Sequence, residues 1–436
     1  MNMKYRSLAR TFHADRTNDA FINHTKLAQQ RLEADSTFRT GVITPLGELF
    51  TATPRETSIL TEKILLAERQ VSFLWNQLPG VMRWNYIRHS ISEELFATNE
   101  MEGVRSTRKE TQDAVDAADK ARKSGNESKA RFSEFAKLYL NLTDKDTALP
   151  SGIVDIRDIY NKVVLDEINE SDKPDGELFR KGDVEIQGSH GLAIHNGVKG
   201  EGNISALLTD MIHLATSDEI PRLQSSIMSH FLFEYVHPFY DGNGRTGRYL
   251  LALYLNHNLT MPTVLSLSRI IAENKNSYYK AFMEAEDKLN CGELTFFVNT
   301  ILEFIRKAQD ELIDELEVRV DQLDRGRSVC NQLEQKHGLS AQAASILYGV
   351  IQEEMFDSSK SITLNDAATH IRLSKQSARK YVGELMDTNL VVQSGKRPLK
   401  IQASKSLKDI LETGIQENNG KHNSKIQEET GRHDDD

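Results

Sequence analysis

His237-Pro238-Phe239-Tyr240-Asp241-Gly242-Asn243-Gly244-Arg245-Thr246-Gly247-Arg248 stands between two helical patterns. Upstream, Leu223, Ile227, Phe231 and Tyr235 recur about one turn apart, which predicts a helix over 222–236. Downstream, Tyr249 to Leu255 is apolar on nearly every side, the pattern of a helix buried in a core. Pro238 cannot continue the first helix, and Gly242 and Gly244 can take the positive φ angles that let successive backbone N–H groups converge on an anion. The second helix begins there, so its positive end faces the same point. Arg245 and Arg248, three apart, share a face of its first turn, where they oppose the dipole unless an anion such as a phosphate chain lies between them. His237 supplies a candidate general base, and Asp241 an oxygen ligand for a hard cation.

Taken singly, a His-Pro pair marks a helix end and Gly-Asn-Gly a turn. The whole pattern resembles the signature of the Fic family of AMP transferases, His-x-Phe-x-(Asp/Glu)-Gly-Asn-Gly-Arg-x-x-Arg, at every fixed position. The resemblance implies a mainly α, Fic/Fido helical core with a β-hairpin flap, and transfer of AMP from ATP to a Ser, Thr or Tyr hydroxyl of a protein. His237 would take the hydroxyl proton, and Asp241 would hold Mg²⁺. Gly242, Asn243 and Gly244 would form the anion hole, with Arg245 and Arg248 on the β- and γ-phosphates.

At 436 residues, 39% hydrophobic and 27% charged, the composition is that of an ordinary soluble protein, with room for about three domains. A net charge of −10 argues against bulk attraction to nucleic acid, although a local basic patch stays open. Two cysteines, Cys291 and Cys330, make neither a disulfide framework nor a metal spacing. No apolar run is long enough to span a bilayer, and Met1 to Arg10 lacks a secretory apolar block, so the expected compartment is the cytoplasm with no membrane partner.

In chain order, residues 1–84 are expected to be helical, with a firm helix from Thr57 to Leu78 stopped by Pro79-Gly80. A further helix, marked by Ile87, Ile91, Leu95 and Phe96, runs into Thr98-Asn99-Glu100-Met101-Glu102-Gly103. By itself this is a helix end with a glycine stop and a solvated carboxylate. It also resembles the (Ser/Thr)-x-x-x-Glu-(Gly/Asn) inhibitory motif of Fic proteins. That resemblance implies an inhibitory helix near 87–105 whose Glu102 pairs bidentately with Arg248 in place of the ATP γ-phosphate. Lys109 to Lys145 reads as solvent-facing helices and Ile153 to Ile168 as an amphipathic one.

Short alternating runs around Gly188 to Gly191 predict a β-hairpin. It stands where Fic proteins carry the flap, which implies that Val184, Glu185, Ile186 and Gln187 hold the target by strand addition. His190 and His195 lack the second spaced ligand pair that a metal site needs. Leu267 to Phe282 resembles the family's Tyr-Tyr helix, implying Tyr279, and further on Asn290, at the adenine; core packing of the tyrosines stays open. Phe296 to Ile305 reads as a core helix and Lys307 to Asp324 as a charged connector.

The domains expected are therefore 1–84, a catalytic region 85–310, a helical linker 311–339, and a winged helix-turn-helix over 340–412 with a disordered tail 413–436. Within 340–412, Asp366 and Ser374 mark two helix starts, and Leu390 to Ile401 reads as a hairpin. Lys375, Gln376, Arg379 and Lys380 on the second helix and Lys396 and Arg397 at the wing are placed for DNA phosphates, while Glu384 and Asp387 dilute the patch. A protein-binding or homodimer role for this region stays open. Two other functions are also open: removal of AMP from a modified protein, with Glu102 aligning a water, and nucleotide sensing by a DNA-binding regulator. The target protein, self-modification and the use of another nucleotide donor are not decided by sequence.

Overall fold

The computed structural model describes residues 5–144, 147–164, 167–187, 193–356 and 361–412. His190, the Gly188 to Gly191 turn and the tail 413–436 fall outside them. The chain is mainly helical and divides into two compact units, residues 1–73 with 86–313, and residues 74–85 with 314–436.

The first unit opens with α1 (Leu8–Ala14), capped by the Ser7 hydroxyl accepting from the Arg10 N–H, and α2 (Ala20–Leu32). Where helix was expected through residue 84, β1 (Thr37–Thr44) and β2 (Gly47–Ala52) form an antiparallel hairpin. Thr, Phe, Val and Ile favour strand in β1, as Phe50 and Thr51 do in β2, and Gly47 closes the turn at φ +119°. A side chain at Gly47 would come within 2.9 Å of the Cys291 carbonyl oxygen. Phe50 of β2 exchanges backbone bonds with Gly292 and Leu294, so the hairpin is paired on its outer side too.

Next come α3 (Arg55–Gln77) and α4 (Gly80–Met101), the latter ending at Gly103 with φ +71°. A Thr107–Glu110 capping box starts α5 (Arg108–Ser124), and α6 (Ser133–Asn141) follows. The sequence reading places α6 on the surface, but Phe135 and Tyr139 are fully buried, because a short apolar cluster outweighs the charged average around it. After α7 (Ile153–Val163), strands β3 (Glu185–Gln187) and β4 (Ala193–Asn196) form the expected hairpin, in register at Glu185–Asn196 and Ile186–His195.

α8 (Glu201–Thr216), α9 (Arg222–Val236) and α10 (Asn243–Leu255) pack together as the centre of this unit. Short helices α11 (Met261–Leu265), α12 (Leu267–Glu273) and α13 (Lys275–Ala285) lead to α14 (Thr295–His337). The sequence reading expects a core helix, a connector and a linker from 296 to 339. They are one 43-residue helix, since no glycine or proline interrupts its first eight turns.

In the second unit, α15 (Ala341–Phe356), β5 (Ile362–Thr363), α16 (Leu364–His370), α17 (Lys375–Asp387), β6 (Val391–Lys396) and β7 (Leu399–Ala403) follow in that order. The sheet order is β5-β7-β6, antiparallel throughout. Thr363, with Asp366, forms the capping box of α16, and Ser374 caps α17. Ile346, Leu347, Val382, Leu385 and Ile401 lie in its core with Cys330 of α14. Both cysteines are free thiols. No helix among the described residues is long and apolar enough to cross a membrane.

Candidate functional site

Every residue of α10 is buried, and two of them are arginines. Burying a guanidinium costs several kcal/mol unless an anion pairs with it, so the partners of Arg245 and Arg248 are what this helix is built to hold. Arg245 pairs with Glu167 at 3.2 Å, and Glu167 is held in turn by Arg131 at 2.6 Å. Arg245 Nε, also buried, has no hydrogen-bond partner among the described residues. Glu167 lies 78 residues away in sequence and no local pattern announces it.

Arg248 meets the end of α4. Its Nε donates to Thr98 Oγ1 at 2.8 Å, and one terminal nitrogen donates to the Thr98 carbonyl at 3.3 Å and to Glu102 Oε1 at 2.7 Å. The pair is thus a single hydrogen bond and not the bidentate fork expected from sequence, because Thr98 takes the other donor direction. Both fixed positions of the Thr-x-x-x-Glu motif touch the same guanidinium. Burial pushes the Glu102 carboxyl up, but the Arg248 charge and hydrogen bond outweigh it and hold the group below its ordinary range. The Glu102 carboxylate lies directly over Gly244, where a Cβ would come within 2.2 Å of its Oε1. Lys275 of α13 donates to the Met101 carbonyl at 3.1 Å, fixing the end of α4 beside it.

The loop between α9 and α10 is held by residues whose work is structural. Phe239 is buried against Tyr160, ring centroids 3.5 Å apart, and Phe179. Asn243, expected in the anion hole, spends its side chain on Phe239, accepting from its N–H at 2.9 Å and donating to its carbonyl at 2.8 Å. What remains for an anion is backbone: Gly242 has φ +80°, and the first N–H groups of α10 have no acceptor within the helix. Asp241 is exposed and accepts from the Gly242 N–H at 2.6 Å.

His237 caps α9 with φ 49°, an uncommon conformation for a non-glycine residue. Arg180, fully buried, holds it there. Its Nε donates to the His237 carbonyl at 2.8 Å, and its terminal nitrogens donate to Gly182 at 2.7 Å, Val198 at 2.8 Å and Val236 at 3.2 Å. Those carbonyls belong to both feet of the β3–β4 hairpin and to the end of α9, so one side chain ties the hairpin to the histidine. Tyr240 adds a second tie, accepting from the Gly182 N–H at 2.8 Å. Sequence reasoning missed Arg180 because its partners are all backbone carbonyls, which leave no side-chain signal.

Between these groups lies a cavity of about 140 Å³ lined by Glu102, Glu234, His237, Gly244, Arg248, Tyr278, Tyr279 and Met283, among others. That is well below the ~300 Å³ at which small-molecule sites begin. Tyr279 is partly exposed at the rim, whereas Tyr278 is buried and bonded to His230 at 2.7 Å. Burial pulls His230 down to about 3, so it is neutral. Asn290, expected at the adenine, is absent from this lining. Its side chain accepts from the Ala9 N–H at 2.9 Å and donates to the Glu284 carbonyl at 2.5 Å, which pins α1. Val184 bonds Gly197 across the base of the hairpin, carbonyl to N–H at 3.2 Å, beside Glu185, Ile186 and Gln187.

Residues 152–255, which include the loop, match the model of the Fic/DOC family. The chain carries a Fic/DOC domain. A probable protein adenylyltransferase of Aquifex aeolicus is 39% identical over 74 residues, 17% of this chain and 21% of the relative. The chain therefore spans about a fifth of that relative's length. Among solved structures, a Fic family protein from Desulfovibrio desulfuricans aligns over 81% of this chain and 97% of its own, at 20% identity and a TM-score of 0.46. A Fic domain containing signaling protein from Bacteroides thetaiotaomicron aligns over 58% and 97%, at 16% identity and a TM-score of 0.39. Within the Fic/DOC domain, His237, Gly244 and Arg248 line one cavity, and Glu102 reaches it from outside the matched residues.

Proposed function

We propose that this Fic/DOC protein transfers AMP from ATP to a protein hydroxyl and that Glu102 holds it in check. The observation that carries the reading is the Glu102–Arg248 bond over Gly244, an anion held on the positive end of α10 beside a histidine. A triphosphate placed along α10 would put its terminal phosphate where the Glu102 carboxylate now lies. The α-phosphate would then lie toward His237, whose imidazole would take the proton of the attacking hydroxyl, and the pyrophosphate would be the leaving group. Arg245, with an unsatisfied Nε, and the backbone N–H groups of Asn243 and Gly244 would receive developing charge. The exposed carboxylate of Asp241 fits Mg²⁺, which binds through one or two carboxylates together with substrate phosphates. Bound there, the ion would neutralise phosphate charge. An extended target segment would add to the edge of β3, placed beside His237 by Arg180. The test is mass spectrometry of a Glu102→Gly protein incubated with ATP and candidate targets: gain of AMP on a protein hydroxyl is expected, and its absence refutes the reading.

For the second unit we propose contact with DNA phosphates by a winged helix-turn-helix. Lys375, Gln376, Arg379 and Lys380 of α17 are exposed on one side, as are Lys396 and Arg397 at the β6–β7 turn. Glu384, read from sequence as diluting this patch, instead accepts from the Ser340 N–H and hydroxyl at 2.6 and 2.8 Å, capping α15. Binding to promoter DNA should weaken steeply with salt, and binding without a salt slope would refute phosphate contact.

A further inference from the structure

Two carboxylates, not one, lie along the inner face of α10. Glu102 covers Gly244, and Glu234 of α9 covers Gly247 one turn further on, where a Cβ would come within 2.1 Å of Glu234 Oε1. A side chain at 247 would displace this carboxyl and crowd the Phe233 ring, which is 2.9 Å from the same Cβ position. Glu234 lines the same cavity as Glu102, Arg248 and His237, and its Oε1 is buried with no hydrogen-bond partner among the described residues. A buried oxygen left unsatisfied in a ligand cavity marks a place for a ligand group.

The groups facing Glu234 come from every element around it. Arg248 of α10 attracts its negative charge and Glu102 at the end of α4 repels it, while Tyr278 and Tyr279 of α13 stand opposite. His230 lies on α9 and His237 caps it, and Glu286 follows α13 at the cavity wall. With a single guanidinium already bonded to Glu102, the enclosed cluster cannot hold a second carboxylate charge cheaply. Burial, with the Glu102 charge adding to it and Arg248 opposing, pushes Glu234 up to about 8. At neutral pH it is a carboxylic acid with a proton to donate, a role a buried carboxyl can fill toward an anion.

Whatever anion replaces Glu102 over Gly244 meets this acid. We propose that Glu234 is a nucleotide-binding residue that, as a neutral acid, donates a hydrogen bond to the terminal phosphate of a nucleoside triphosphate, and that loses this affinity when it ionises. The inference rests on the reading that a phosphate and Glu102 compete for Arg248. It makes triphosphate binding dependent on a proton held by the protein, and it gives the site a means of telling a triphosphate from a monophosphate.

The test is equilibrium binding of ATP and of AMP to Glu102→Gly/His237→Ala protein, which does not turn over, between about pH 8 and 9.5, well above the last phosphate ionisation. ATP affinity should fall by roughly tenfold per pH unit once Glu234 ionises, with proton uptake on binding seen by calorimetry in two buffers of different ionisation enthalpy. AMP should show no slope. Adding Glu234→Gln, isosteric and permanently neutral, should abolish both the slope and the proton uptake while ATP still binds. An unchanged slope in the Gln variant, or the same slope for AMP, overturns the inference. ATP binding no tighter after Glu102→Gly would instead overturn the Glu102 competition, and Glu234 would then be judged by the same slope comparison with Glu102 present.

Discussion

Replacing Glu102 by glycine should convert the Arg248 contact from an internal ion pair into an open phosphate site. Glu102 is held by one charge-assisted hydrogen bond of 2.7 Å, and its side chain retains 23% exposure. A bond of this kind contributes about 1.5–3 kcal/mol, and partial solvent access places it near the middle, about 2 kcal/mol. If ATP must displace that bond, removing it should tighten ATP binding about 30-fold, since each 1.4 kcal/mol is about a factor of ten. The change leaves Arg248 buried with only Thr98 as partner, so nucleotide-free Glu102→Gly protein should melt lower than the parent and recover on adding ATP. Calorimetric titration with ATP in the His237→Ala background measures binding without turnover. A gain below about twofold, within the error of independent sites, would refute displacement of Glu102 as the event that opens the site.

Arg180→Gln should lower the rate of target modification by at least about tenfold with little change in ATP binding, because the lost bonds hold His237 and the hairpin, not the phosphates; steady-state kinetics separating kcat from the KM for ATP would check it, and an equal rise in KM would contradict it. Glu94 accepts from Tyr139 at 2.9 Å and from the Ser268 N–H at 3.2 Å, and burial pushes its carboxyl up to about 7 despite those bonds. Because the folded state keeps a proton that the unfolded chain has already released, the stability from this group is complete below the ordinary carboxylate range. It is lost as pH rises to about 7. Urea midpoints measured across that window should therefore fall less in Glu94→Gln protein than in the parent, and parallel slopes would count against the assignment.

The loop from His237 to Arg248 could be read because its requirements are local: a proline stop, a glycine at positive φ (Gly242, whereas Gly244 lies inside α10 with helical φ) and arginines three apart on one helix turn. The Glu102 pairing could be read only through resemblance, since 146 residues separate it from Arg248. Glu167, Arg180 and Glu234 could not be read at all. Their partners are brought in by tertiary packing, and a buried carboxyl one turn before His237 looks in sequence like any helix-surface glutamate. The same limit explains Asn290, whose side chain faces α1, and the β1–β2 hairpin, whose second strand is stabilised by pairing with residues 292–294 on the far side of the chain. The 43-residue α14 does not end where its sequence turns charge-rich after Ile305, because Ala308, Leu312, Leu316 and Leu323 carry a buried apolar stripe through that stretch.

The most direct measurement uses ATP labelled in turn at the α- and at the γ-phosphate, incubated with Glu102→Gly protein and with its His237→Ala derivative in a cell extract heated beforehand to inactivate its own kinases. The account requires covalent protein labelling from the α-phosphate alone, abolished by His237→Ala and weak in the parent. Label arriving from the γ-phosphate, or α-label that survives the loss of His237, would contradict it.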